Sequence, residues 1–259
     1  MKFDFSIPMT SYELLAIILA AIAIIIPIAQ TIWKHWVVRP KLNFLPTGRV
    51  ALFFNQSGSY LRVDGVYEAK NKPIAVKNIS VKVTRKKDDQ KLNLSWSSFI
   101  SPVNQSVVGN YLQTTESAHP FRIEADSIMS AFTEFGDSFD SFGKTFRSNT
   151  STLFKQIPSI RTANNTYEEA LKQYKASADY TTARSHLEKE FFWEIGRYSL
   201  EIIAEYRKKS KVFQYEISVG EYEHDFLIAN TDEALLSPLK AAYGIAWDYH
   251  TAYVELRSK

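Results

Sequence analysis

One stretch governs what this chain can fold into. Between Tyr12 and Trp33 the sequence YELLAIILAAIAIIIPIAQTIW is apolar apart from Glu13 and the Gln30–Thr31 pair near its ends. As a helix rising 1.5 Å per residue it would reach about 33 Å, enough to cross the hydrocarbon core of a bilayer. A core helix of a soluble protein carries a polar stripe, and from Leu14 to Ala29 there is none. A secretory signal peptide has a basic start, a shorter apolar run and a small-residue cleavage site. Here Lys2 is balanced by Asp4 and Glu13, the run is longer, and Trp33 and Trp36 follow it as an interfacial belt would. The segment therefore reads as a transmembrane helix with its flank over residues 12–36, after a short tail, 1–11.

The flanking charges orient it. Lys34, Arg39, Lys41 and Arg49 follow the helix and only Lys2 precedes it. By the positive-inside bias the body, 37–259, is expected in the cytoplasm and the N-terminus outside, as a single-pass protein of a cell inner membrane. Along the helix Glu13, Ala16, Ala20, Ala23, Pro27, Gln30 and Lys34 recur at alternating spacings of three and four. They form a small or polar seam, while the other faces are mostly Ile and Leu. In lipid, small residues let helices approach closely and polar groups prefer a protein or water-lined interior. The seam is expected to face sibling helices in a homo-oligomer, or a pore at its centre. Against that, Ala is common in membrane helices and two of the five Ala between 16 and 29 lie off the seam.

The body alternates apolar and polar residues over 40–125, the mark of an antiparallel sheet with one buried face. Ile79, Val81 and Val83 share one face, as do Leu92, Leu94 and Trp96. Pro46-Thr-Gly48 and Asn55–Gly58 read as turns, and 119–124 as a further strand. Phe132, Phe135, Phe139, Phe142 and Phe146 then recur at helical spacing, predicting an amphipathic helix over 126–147 despite Gly136 and Gly143. Asn165 or Thr166 would cap a second helix running to about Glu190. A last hairpin occupies 197–219, and 220–259 reads as helices broken near Pro238 and Gly244. The fold class is thus α+β. The expectation is an antiparallel β-sandwich of about seven strands, a helical insertion at about 126–195, and C-terminal helices.

The chain has no cysteine, which removes disulfides, thiolate metal sites and Cys nucleophiles. His35, His119, His186, His224 and His250 show no metal-site spacing, and no nucleophile elbow or phosphate-binding glycine loop is present. No cofactor, no metal and no enzyme activity are expected. Charge is uneven: residues 34–91 carry 13 Lys/Arg against 4 acids. Two basic clusters, Lys82, Arg85, Lys86 and Lys87, then Arg207, Lys208, Lys209 and Lys211, fall at hairpin tips. Each alone reads as a solvated turn with edge-protecting lysines. Together at one end of a sandwich they would make an anion-binding site.

Two function classes remain. One is a membrane effector whose body senses a ligand while the clustered helix changes permeability. The other is a membrane-tethered scaffold or adaptor with a passive anchor. The order of one helix, the juxtamembrane stretch Trp33-Lys-His-Trp36 and a β-rich cytoplasmic domain resembles the membrane effectors of bacterial anti-phage defence systems, such as the channel effectors of the Hailong system. The likeness is one of layout along the whole chain, with no shared motif. It implies a homo-oligomeric ion channel in antiviral defence. It also implies regulation by a short single-stranded DNA oligomer made by a partner nucleotidyltransferase, without assigning a binding residue.

Overall fold

The computed structural model describes residues 10–107, 110–161 and 165–258, with side chains other than those of 34–35, 101–107 and 110–114. The apolar stretch forms helix α1, Ser11–Ile32. Thr10 caps it: its hydroxyl accepts from the Glu13 backbone N–H while the Glu13 carboxylate accepts from the Thr10 N–H at 2.8 Å. The Thr31 hydroxyl donates to the Pro27 carbonyl at 2.8 Å. One π-helical turn, Trp33–Val37, and three extended residues lead into the body.

The body is α+β. Its strands are β1 (Lys41–Asn55), β2 (Gly58–Lys70), β3 (Ile74–Arg85), β4 (Lys91–Val107), β5 (Asn110–Ser117), β6 (Phe121–Ile123), β7 (Ser127–Gly136), β8 (Gly196–Tyr206), β9 (Lys209–Val219), β10 (Ala252–Glu255) and β11 (Arg257–Ser258). Helices α2 (Ser141–Lys155), α3 (Ile157–Ile160), α4 (Tyr167–Lys175) and α5 (Ala178–Glu190) lie between β7 and β8, and α6 (Glu221–Ala242) follows β9. All strands belong to one antiparallel sheet in the order β10-β1-β2-β7-β4-β3-β8-β9-β11, with β5 on β4 and β6 on β3. The last segment bridges the two ends of that order. Arg49–Leu52 of β1 pair with β10, and Glu216–Tyr215 of β9 pair with β11. The sheet thus curls into a nearly closed nine-strand barrel, where two facing sheets of a sandwich were expected.

Burial follows the pleat. In β2, Leu61, Val63, Gly65, Tyr67 and Ala69 are buried and the residues alternating with them half-buried. Phe44, Leu52, Phe135, Leu94, Ile202 and Ile217 add to the same interior from other strands. Gly65 has a specific use there: a Cβ on it would lie 2.5 Å from the Phe44 ring, which crosses the strand at that point. Pro46-Thr-Gly48 is a bulge inside β1, where the register with β2 shifts between Pro46 and Val50, rather than a turn between strands. Gly48 takes φ +87° there, which costs glycine least.

The helical layer packs at the barrel end opposite Lys41. Phe54 near the end of β1 meets Phe142 of α2 and Phe191, and the buried Trp193 donates its indole N–H to the Phe53 carbonyl at 2.9 Å. Three expectations are corrected. Residues 127–136 are strand β7, held in register by β2 over Leu61–Ala69, so only Phe142 and Phe146 of the phenylalanine series lie on a helix. In a strand, Phe132 and Phe135 point to opposite faces, and Phe139 is exposed in the connection. Thr166 does cap a helix, with a full capping box, but Ser177 caps a second one, so 167–190 is two helices. The C-terminal stretch ends as β10 and β11 after α6, because Ala252, Val254 and Leu256 fill the seam of the barrel.

Candidate functional site

Two features singled out by the sequence are the seam of α1 and the two basic turns. No residue of α1 is buried. Glu13, Ala16, Ala20, Ala23, Pro27 and Gln30 lie on an exposed helix, and Lys34 falls outside the residues whose side chains are described. Trp33 and Trp36 are 62% and 84% exposed. So large an apolar surface is unstable in water at about 25 cal/mol per Å². It requires lipid, another protein surface, or both.

The two basic clusters do not form a common end. β3 and β8 are antiparallel, with Val76 opposite Tyr206 and Arg85 opposite Tyr198. The β8–β9 turn at Arg207–Lys208 therefore stands at the start of β3, and the β3–β4 turn at its finish. At about 3.3 Å per residue the two are about 30 Å apart.

Their surroundings also differ. Arg85 is buried and encased: it binds Asp88 at 2.7 Å and Glu194 at 3.1 Å, the Phe192 carbonyl at 3.2 Å and the Gln90 side chain. The Asp88 hydrogen bond is the largest influence raising the guanidinium pKa, and the same bond holds Asp88 below the usual carboxylate range. Lys82 pairs with Glu201 at 3.6 Å, Lys86 with Glu216 at 2.5 Å and Lys87 with Glu194 at 3.6 Å. This cluster is a staple between strands, with its charge matched. Arg207, Lys208, Lys209 and Lys211 are all exposed and form no ion pair among the described residues. The acids Glu194 and Glu216 were not legible as partners in the sequence, because they lie more than a hundred residues away and reach Arg85 and Lys86 only once β8 and β9 are placed.

Among the described residues, several surface grooves carry polar side chains. One, about 450 Å³, runs past Arg197, Glu216, Glu223, Tyr253 and Arg257 beside the seam. Another, about 430 Å³, lies against Asn55, Tyr60, Trp96, Glu134 and Asp137. There burial pushes the Tyr60 hydroxyl up to about 12 and lifts the Glu134 carboxyl above its ordinary value. Among the described residues no group of three His, Asp or Glu is placed to hold a metal ion.

The chain is, in class, an α+β protein with one N-terminal apolar helix and a nearly closed antiparallel barrel. No family model matches it, and no curated protein matches it. Among solved structures, a family 123 glycoside hydrolase from Clostridium perfringens is similar at 11% identity and a TM-score of 0.30, over 70% of this chain and 27% of that one. The chain spans about a quarter of that protein's length, and a likeness this distant carries no argument about fold or activity.

Proposed function

We propose that the protein is a membrane-anchored homo-oligomeric effector, with α1 as a transmembrane helix and the barrel as a cytoplasmic domain that gates an ion channel or other permeation path in bacterial anti-phage defence. The observation that carries this reading is the helix. It has 22 residues, its most apolar 18 have mean hydropathy 2.6, and none is buried, so neither a soluble core nor the body shelters it. Its Ala16–Ala20–Ala23 seam supports close contact between copies. The regulator implied by the resemblance, a short single-stranded DNA oligomer from a partner nucleotidyltransferase, stays within the proposal without a residue assigned to it.

The test is conductance of the reconstituted full chain, beside its mass in detergent. Ala20→Leu and Ala23→Leu widen the seam and are expected to reduce both oligomer and current. Normal current from both variants overturns the pore. Full activity after exchanging residues 1–36 for an unrelated anchor favours the scaffold or adaptor with a passive anchor. Removal of the helix from the mature chain overturns the anchor itself.

A further inference from the structure

The free basic turn stands beside the root of α1. β9 and β1 flank the part of the barrel seam that β10 and β11 leave unpaired. Across it Phe213 and Tyr215 meet the Phe44 ring at 5.9 and 6.4 Å, and the Tyr215 hydroxyl donates to the Phe44 carbonyl at 3.3 Å. Both strands run away from the same end, since Lys41 pairs with Lys70 and Val76, just after the β2–β3 connection, pairs with Tyr206. Lys209 and Lys211, just before Phe213, are therefore level with the first residues of β1. From there Val38–Pro40, at most about 10 Å of chain, leads to the π turn and the helix.

Charge at this end is paired only in part, and Arg39 and Lys41 at the root form no ion pair among the described residues. Lys70 and Arg122 are matched by Glu68 at 3.4 Å and Glu124 at 2.9 Å. The turn is not matched, although Glu205 stands opposite Ser210 within the hairpin. Edge protection accounts for Lys209 and Lys211, which pair with β8 on one side only. It does not account for Arg207 and Lys208, which project beyond the edge. Val212, 42% exposed, adds apolar surface beside them.

We propose that the Arg207–Lys211 hairpin docks on the anionic phospholipid headgroups of the leaflet next to the root of α1, setting the attitude of the barrel to the bilayer. The inference rests on α1 being the membrane anchor. Each basic residue near an anionic surface shifts such an equilibrium by about fivefold, and a four-charge prong tied to the membrane through α1 is held at high local concentration.

The chain is free of cysteine, so a single probe can be placed cleanly. Ser210→Cys puts a fluorophore beside the turn, and Ser138→Cys puts one in the exposed loop at the opposite end. The full chain is reconstituted in nanodiscs of phosphatidylcholine with or without phosphatidylglycerol, each carrying a headgroup nitroxide quencher. Quenching at position 210 is expected to be several-fold stronger in anionic discs and to fall at raised salt. It should also fall when Arg207, Lys208, Lys209 and Lys211 are all changed to Gln, while position 138 stays unquenched. Equal quenching at 210 in both lipids, from a chain that stays with the discs in alkaline wash, overturns the docking alone. Loss of the chain from the discs overturns the anchor and the docking with it. A 210 probe that responds to a short single-stranded oligonucleotide, yet shows no lipid-dependent quenching, assigns the turn to nucleic acid and also overturns the docking.

Discussion

Leu256→Ala should loosen the barrel where it closes. Leu256 is 7% exposed, its backbone N–H donates to the Gly48 carbonyl at 2.9 Å, and it sits between the residues that pair with β1 and those that pair with β9. The change removes three carbons, worth about 2.5 kcal/mol at about 0.8 per buried CH₂. A large cavity term is not expected, since a seam beside an open groove can relax. For a body of this size each kcal/mol moves Tm by about 2–4 °C, so the drop should be about 5–10 °C. Val254→Ala should add about 1.5 kcal/mol, and Tyr253→Ala, at an outward position 56% exposed, should stay within about 0.5 kcal/mol. The assay is near-UV circular dichroism of the full chain in detergent during heating, with buried Trp193 contributing to the signal. Hydrogen exchange adds a local readout: the Leu256 variant should open the β9 amides near Tyr215 and Glu216 before those of β2. If Leu256→Ala costs no more than Tyr253→Ala, the last segment does not occupy the seam and the barrel is open.

Gly65→Ala should cost about 1–3 kcal/mol by overpacking, because the Phe44 ring in its path is hemmed in by Tyr67 at 4.6 Å; a smaller ring partner, Phe44→Leu, should recover part of the lost Tm if this contact is the cause. Asp137 is partly buried, which opposes its charge, but its carboxylate accepts from the backbone N–H groups of Phe139, Ser141 and Phe142 and is held below the usual range. Its contribution, about 1 kcal/mol as for a helix cap, is therefore present above the unfolded Asp value of about 3.9 and lost as pH falls through the folded value. Asp137→Ala should lower the urea midpoint at neutral pH and leave it unchanged at the acid end; an equal loss at both would refute the carboxylate's role.

Local pattern made part of this fold legible. The pleat of β3 and β4, the Gln56–Ser57 turn, the Thr166 cap and the last hairpin each depend on residues close in sequence. The misreadings share a different cause. Phe132, Phe135, Phe139, Phe142 and Phe146 mimic a helical face by spacing, yet Leu61–Ala69 offers an unfilled strand edge and claims Ser127–Gly136 for the sheet. Ala252–Ser258 is short and bounded by no turn signal, and it becomes strand only because β1 and β9 both present free backbone. The separation of the two basic turns likewise follows from β3 pairing with β8 across the whole helical insertion, a contact that no local rule contains.

The Val38–Pro40 connection has a mechanical consequence. Pro40 fixes one of its six backbone torsions, and the Arg39 carbonyl is pinned by the Asn71 side chain at 3.0 Å. With α1 in a bilayer as proposed, any torque the barrel applies to the helix must pass through the remaining swivels or through lipid. A pair of glycines inserted after Val38 would slacken that shaft while leaving both parts intact, so a channel driven by rotation of the barrel would stall and a simple tether would not notice.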